Sequence, residues 1–344
     1  MGQQGRDKRS GRGGGHQPRE VQVSKALSLL LRHAAEKEGL KMNAQGYANV
    51  ADVLQWRKLK SLNVTFDEIR HAVDSSDKKR FALLHIPSSQ PTDSTTRATT
   101  VPLTVPGLKE QGDETVATCS GHPSAFVLEV PSTADDQTNA TQQALSVTDV
   151  EPSNFLIRAT QGHSIKSVEA ASFLEPLSLA DESKLPDTVV HGTFHGSWAD
   201  ILHSGGLRCM GRNHVHFATG PSLASVLAAQ GIARELNAAP DDTNQVISGM
   251  RRDAQVLIYL DLKKALAAGC PFWRSENGVI LSEGVPVASG QNDADGNLHK
   301  VVPVEFFDVV VERKAGLGKL WERGEMLQEL PAHLTKKGTP KHRR

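Results

Sequence analysis

Between Ile86 and Ser153 the chain offers few apolar side chains to bury. Ser, Thr, Pro, Asp and Gln dominate, and the apolar patches are Val101–Leu103 and Phe126–Val130. Such a composition cannot offset the entropy of ordering the backbone. A structureless run of this length is uncommon inside one compact domain. We therefore read 86–153 as a long, mostly disordered insertion. It separates a front segment from a back segment, and each must find its own way to bury apolar surface.

The front segment, 21–85, has a helical pattern. Ser24 is placed to cap a helix whose apolar positions Leu27, Leu30, Leu31 and Ala34 recur at helical spacing, with Gly39 as its stop. A short helix covers Ala51–Trp56. Thr65-Phe66-Asp67-Glu68 reads as a capping box for a helix that buries Ile69, Ala72 and Val73. Arg80–Leu84 then looks like a strand. Three helices followed by a strand suggest a winged helix-turn-helix lobe.

The back segment, 154–313, is richer in strands. Phe155–Arg158, Thr188–His191, His214–Phe217, Val256–Leu260, Gly278–Leu281 and Phe306–Val311 are the strand candidates. Asp200–His203 and Leu262–Ala268 read as short helices between them. An Ala-rich helical insertion is expected at about 221–243. The fold class is α+β. A basic, disordered tail over 1–20 and a basic extension over 314–344 flank the two lobes.

Several function classes are disfavoured early. No stretch reaches the ~18 apolar residues that a membrane span needs, and Met1–Arg19 is Gly-rich and basic without an apolar signal core. The three cysteines Cys119, Cys209 and Cys270 are far apart, which fits a reducing compartment, cytoplasmic or nuclear, better than a disulfide scaffold. The formal net charge is zero. Both tails are nevertheless basic, which would add non-specific attraction to RNA phosphates, while 87–149 is mainly acidic.

The residues with chemical capacity are scattered. Arg32 and His33 sit in the later turns of the first helix. They either favour its negative end or face an anion, where Arg offers a planar donor fork and His a proton exchanged near neutral pH. Arg80 marks a helix-to-strand junction. Gln161-Gly162-His163-Ser164 follows a strand, with Gly162 permitting close approach of backbone to a ligand. His191-Gly192-Thr193 stands at another strand end. His214 and His216 alternate along one strand and so share a face, with Arg212 just before them. No Cys, Asp or Glu nearby completes a tetrahedral metal set, so no metal is expected. Ser275-Glu276-Asn277-Gly278-Val279 reads as a turn entering a buried strand. Walker, GxGxxG, GxSxG and HExxH motifs are absent from the sequence.

Taken in order, these blocks resemble one family. Ser24–Ser28 through Leu31-Arg32-His33, Gly39-Leu40, Lys79-Arg80-Phe81, Ile157-Arg158-Ala159 through Ser164, His191-Gly192-Thr193, Gly206-Leu207, Met210–Arg212 with His214-Val215-His216, Val246–Arg251, Val256–Asp261 and Ser275–Leu281 are similar to the motifs of the NAD-dependent RNA 2′-phosphotransferases. The resemblance spans roughly 21–313.

It implies a winged-helix RNA lobe followed by an NAD lobe of the ADP-ribosyltransferase fold. It implies Arg32, His33, Arg80 and Arg212 as the catalytic set. It also implies an NAD site formed by His191, Gly192, Thr193, His214, His216, Ser275, Asn277, Gly278 and Val279. Protein-modifying ADP-ribosyltransferases use a His-Tyr-Glu triad. Here the matching positions are His191, one of His214 or His216 (His214 slightly preferred), and Val279. A phosphate nucleophile needs no carboxylate to deprotonate it.

The implied reaction transfers the splice-junction 2′-phosphate of ligated tRNA to NAD. It yields 2′-hydroxyl tRNA, nicotinamide and ADP-ribose 1″,2″-cyclic phosphate. NAD is a co-substrate, no metal or membrane takes part, and the enzyme is expected to act as a monomer. Two rivals stay open. One is an NAD-dependent ADP-ribosyltransferase acting on phosphorylated nucleic-acid ends. The other is a non-catalytic winged-helix nucleic-acid-binding protein.

Overall fold

The computed structural model describes residues 17–86, 134–169, 173–235, 249–287 and 300–335. The expectations for 1–16, for the patches Val101–Leu103 and Phe126–Val130, for 236–248 and for 336–344 lie outside these residues.

The front lobe opens with α1 (Arg19–Leu29), which runs directly into a π-helical turn over Leu30–Ala34. The helix starts at Arg19, behind Pro18, and not at Ser24. Pro18 is the N-cap residue, and the start carries no side-chain cap. Gly39, at φ 70°, ends the helical region as the sequence suggests. β1 (Ala48–Asn49), α2 (Val50–Gln55), α3 (Arg57–Ser61), α4 (Phe66–Asp74) and β2 (Phe81–His85) follow. The capping box at α4 is formed in full, with Thr65 accepting from Glu68 N and Glu68 accepting from Thr65 N. Leu27, Leu30, Leu31, Ile69, Leu83 and Ile157 share one core.

Two expectations fail here, for one reason. Ala134–Ser146, read as part of a disordered insertion, is a helix, α5. It buries Gln137, Thr141 and Ala144, so its inner face is largely polar and leaves no apolar stripe in the sequence. It packs along β2, where Thr141 accepts from Leu83 N, and Arg70 donates to Leu145 O and Val147 O behind it. The next strand, β3 (Phe155–Ala159), was expected to open the back lobe. It pairs instead with β1 and β2 in an antiparallel sheet of order β1-β3-β2. The front lobe therefore extends to about 160. Its last strand is separated from its neighbour β2 by the whole inserted stretch, a pairing that strand propensity alone does not encode.

The back lobe holds β4 (Glu175–Pro176), β5 (Val190–Thr193), α6 (His195–His203), β6 (Gly206–Arg208), β7 (Val215–Phe217), α7 (Leu223–Glu235), β8 (Val256–Leu260), α8 (Leu262–Ala267), β9 (Trp273–Arg274), β10 (Ile280–Ser282), β11 (Val285–Pro286) and β12 (Lys300–Pro303). β13 (Phe307–Glu312), β14 (Gly318–Glu322), β15 (Glu325–Met326) and α9 (Ala332–Thr335) complete it. The strands form sheets ordered β4-β9-β10-β7, β11-β12-β6 and β15-β14-β13-β8-β5. The five-stranded sheet corrects the expected boundary at 313. β14 and β15 continue it, and Leu320 is fully buried in its core.

A small apolar cluster joins the lobes: Ala35 behind the π-turn, Ile165, Val168, Phe173 and Leu174 from the crossover, and Val279 and Leu281 from the back sheet. It brings the end of the first helix against the turn before β10. The architecture is mixed helix and sheet.

Candidate active site

Arg32 and His33 lie inside the π-turn. A π-turn packs an extra residue into a helical turn and re-aims its side chains, a local cost usually kept where it serves a site. The turn is held by the 160–164 loop: Ser164 N donates to Arg32 O at 2.9 Å, and His33 Nδ1 lies 3.0 Å from Ser164 Oγ. Ser164 Oγ also lies 3.4 Å from Arg32 O.

Gly162 sits where that loop meets both lobes. At φ 84° it occupies the left-handed region, and a Cβ there would stand 3.6 Å from His216 Nε2 and 3.7 Å from Arg32 Nη1. Gly162, Arg32 and His216 are therefore immediate neighbours. The loop is also tied to the Arg212 segment, since Asn213 donates from its backbone to His163 O and from its side chain to Ile165 O.

Arg80 arrives from the other side. Lys79 adopts φ 39°, unusual for a side-chain-bearing residue. Thr160 fixes this segment, donating from Oγ1 to Lys79 O and from N to Arg80 O. Asn277 Nδ2 donates to Lys78 O. Arg80 Nη1 lies 3.3 Å from Ser76 Oγ.

The electrostatics identify what gathers here. Burial first, then Arg212 and Arg80, push the Arg32 guanidinium down to about 10. Its Nε and Nη2 are buried without a hydrogen-bond partner. His33 is lowered by burial, Arg212 and Arg32. Arg212, whose side chain stays exposed, is lowered by desolvation and by Arg251. His216 is held well below its ordinary value by burial, Arg212 and Arg32. Cations crowded in this way favour an anion placed among them.

The structure thus brings together Arg32 and His33, Arg80, and Arg212 and His216, which the sequence places in three separate motifs. Arg251 joins them, its guanidinium 5.6 Å from the Phe194 ring centroid. It belonged to a matching block, but nothing in its local pattern pointed to a cation cluster.

The remaining expected residues divide. His191 Nδ1 bonds His216 O at 2.9 Å, so its strand β5 backs the histidine strand. Gly192 is required there by packing: a Cβ would lie 2.4 Å from Met250 Cγ and 2.8 Å from Ala254 Cβ. Thr193 is buried beside it. His214 lies against Trp273 at 5.7 Å between ring centroids and 3.9 Å from Glu283. Ser275 is fully buried, and its hydroxyl is used inside the turn, with Val279 N, Val279 O and Asn277 Oδ1 all in reach. Val279 is buried in the inter-lobe cluster. Ser275, Gly278 and Val279 therefore shape the turn, while Asn277 ties it to the Arg80 segment. Among the described residues no group of three or more His, Cys, Asp or Glu is arranged to hold a metal ion. No helix among them is long and apolar enough to cross a membrane.

A mixed helix–sheet fold with four arginines and two histidines converging at the junction of its lobes defines a site suited to an anion such as a phosphate group. The family model described as RNA 2′-phosphotransferase, Tpt1 / KptA family, matches residues 18–284, and the chain belongs to that family. It is 33% identical over 291 residues to the tRNA 2′-phosphotransferase 1 of Bos taurus, covering 85% of this chain and 75% of the relative. It is 32% identical over 271 residues to the tRNA 2′-phosphotransferase of Saccharomyces cerevisiae, covering 78% and 81%. A bacterial relative, the probable RNA 2′-phosphotransferase of Agrobacterium fabrum, is 26% identical over 277 residues, covering 80% and 95%.

Proposed function

We propose that this enzyme is an NAD-dependent tRNA 2′-phosphotransferase that removes the splice-junction 2′-phosphate from ligated tRNA. The observation that carries the reading is Arg32: a largely buried guanidinium with two unpartnered nitrogens, facing Arg80 and Arg212. A dianionic phosphate is the ligand that resolves this arrangement, and the named relatives act through such a group.

In this reading the front lobe is a winged-helix RNA module and the back lobe an ADP-ribosyltransferase-type NAD module. Arg32, Arg80 and Arg212 hold the 2′-phosphate while it attacks the nicotinamide-bearing ribose carbon and nicotinamide departs. The linked ribose 2″-hydroxyl then attacks the phosphorus, and RNA leaves with a 2′-hydroxyl. Negative charge builds on the non-bridging oxygens in this second step, where fixed guanidinium groups are most effective. With Ser164 Oγ donating to Arg32 O, His33 Nδ1 donates to Ser164, and Nε2 is left to exchange a proton at the RNA oxygen. A bound dianion offsets the arginines that lower His33, so substrate itself makes this imidazole easier to protonate.

NAD fits the opposite wall. His216 presents a buried, unpartnered Nε2 beside Gly162, whose bare backbone leaves room for a ligand. His216 suits the NAD contact better than His214, which faces Trp273 and Glu283. We take tRNA as the partner, NAD as the co-substrate, a monomer as the working form, and the cytoplasm or nucleus as the location.

The test is an RNA bearing one internal 2′-phosphate. Loss of that phosphate is expected only when NAD is added, and chelator should leave the rate unchanged. Equal turnover without NAD, or abolition by chelator, contradicts the reading.

A further inference from the structure

Arg158 is the largest fully buried side chain among the described residues. It stands on β3 and reaches into the junction of three separate pieces of chain. Its guanidinium lies between two aromatic rings, 5.0 Å from the Tyr47 centroid and 4.7 Å from the Phe173 centroid. Such a sandwich fixes the plane of the cation. Nη2 donates to Gln137 Oε1 on α5 and lies 3.6 Å from Glu276 Oε2, whose side chain is itself only 3% exposed. Gln137 in turn donates to Phe173 O. Thr138, the next residue of α5, stands close enough to Glu276 to work against the rise that burial gives its carboxyl.

A buried charge is retained at a cost, and removing its partner leaves that cost unopposed. The place this pair occupies shows what it can hold. Glu276 lies in the turn between Ser275 and Asn277, and Asn277 anchors Lys78 O. Two residues beyond Arg158, Thr160 anchors Lys79 O and Arg80 O. The Arg158–Glu276 pair therefore spans the two backbone clamps that fix Arg80.

We propose that Arg158 and Glu276 are positioning residues, an ion-pair latch with α5 as its third member that sets Arg80 against the bound phosphate and holds the 275–279 turn in its working position. The inference rests on the phosphotransferase reading of the site. Burial excludes contact of Arg158 with any ligand, so it acts through Arg80 and the turn. It also gives α5, from a region of the sequence without family motifs, a share in the chemistry.

The experiment uses the full-length protein, NAD and an RNA with one internal 2′-phosphate, in single-turnover and steady-state modes. The variants are Glu276→Gln, Gln137→Met and the apolar pair Arg158→Met/Glu276→Leu. The key readout is the ratio of ADP-ribosylated RNA to 2′-hydroxyl product, which does not depend on how much enzyme is folded. Glu276→Gln is expected to raise that ratio by about tenfold and to raise the KM for NAD, because small misplacements of a catalytic group carry large rate costs. Gln137→Met should do the same to a smaller degree and keeps the test open if Glu276→Gln does not fold. The apolar pair should recover thermal stability relative to Glu276→Gln while keeping the kinetic defect. Folded variants with a wild-type ratio and wild-type KM overturn the latch, as does a defect that disappears in the apolar pair. An inactive wild-type protein overturns the reading of the site as well; an active one with unchanged variants overturns only the latch.

Discussion

Arg32 keeps two guanidinium nitrogens without a partner while burial, and after it two further arginines, lower its pKa, and this tension is the most informative property of single residues here. It predicts which chemical step each side chain governs. The attacking 2′-phosphate already carries its charge, so losing one arginine should slow nicotinamide release modestly. The second step builds charge on a five-coordinate phosphorus. Arg80→Ala or Arg212→Ala is therefore expected to accumulate RNA carrying ADP-ribose on its 2′-phosphate, visible as a slower gel band. A lost contact of ~2.7–4 kcal/mol slows that step by about a hundredfold or more. Arg32→Ala is a less clean test, because in the proposed site it would also weaken RNA binding. Full activity in both single variants, or loss of activity with no intermediate at any NAD concentration, contradicts the assignment. Arg32, His33, Arg80 and Arg212 were legible in the sequence only as members of an ordered set of motifs. In isolation each is an ordinary surface cation. Arg158 and Glu276 read in the sequence as strand and turn residues, and their pairing is hidden because the two stand far apart in the chain.

Among elements, those with a strong local signal appear close to where the sequence puts them. The capping box at α4, the apolar run of β8 and the strand β13 carry their own pattern. α5 does not, because Gln137 and Thr141 are buried by hydrogen bonding and not by hydrophobicity. Its presence changes what a deletion should do. Removing 91–149 takes away Ala144 from the front core, Thr141 from β2 and Gln137 from the Arg158 pair. That deletion is expected to abolish soluble, active protein. Removing 91–130 alone leaves α5 in place and should keep activity within about tenfold, at most ~1.4 kcal/mol of transition-state stabilisation. Circular dichroism and turnover of the two deletions decide the matter. Equal behaviour of both would show that α5 does not support the fold. β3 teaches a related lesson: propensity identifies a strand, but its partner depends on chain topology that a local window does not contain.

At the scale of the whole molecule, burial of imidazoles makes stability depend on pH. His163 is pushed down to about 4 by burial, against a backbone bond to Ala159 that works the other way. His191, His214 and His216 are also lowered, in each case by burial first. A group whose folded pKa lies below its unfolded one takes up its proton preferentially in the unfolded chain. Its stabilising effect is complete above the unfolded value of 6.5 and is lost as pH falls toward the folded value, about 4 for His163. Each such histidine contributes a slope of about 1.4 kcal/mol per pH unit within its window. Carboxylates act later: Asp149, held down to about 2 by His85 and its neighbouring bonds, adds loss only below 3.8. Thermal unfolding of the ligand-free protein should therefore show Tm falling from about pH 6.5 downward. A flat Tm across the window from 6.5 to 4 would show that these imidazoles are not buried in their neutral form.

The central claim is that one arginine cluster carries a phosphate from RNA to NAD. The most direct measurement follows the phosphorus itself, with radiolabel placed only in the internal 2′-phosphate of a ligated tRNA. Incubation with NAD should move all label into ADP-ribose 1″,2″-cyclic phosphate, with one nicotinamide released per phosphate removed and a 2′-hydroxyl left on the tRNA. Label released as inorganic phosphate, or label that stays on RNA joined permanently to ADP-ribose, would contradict it.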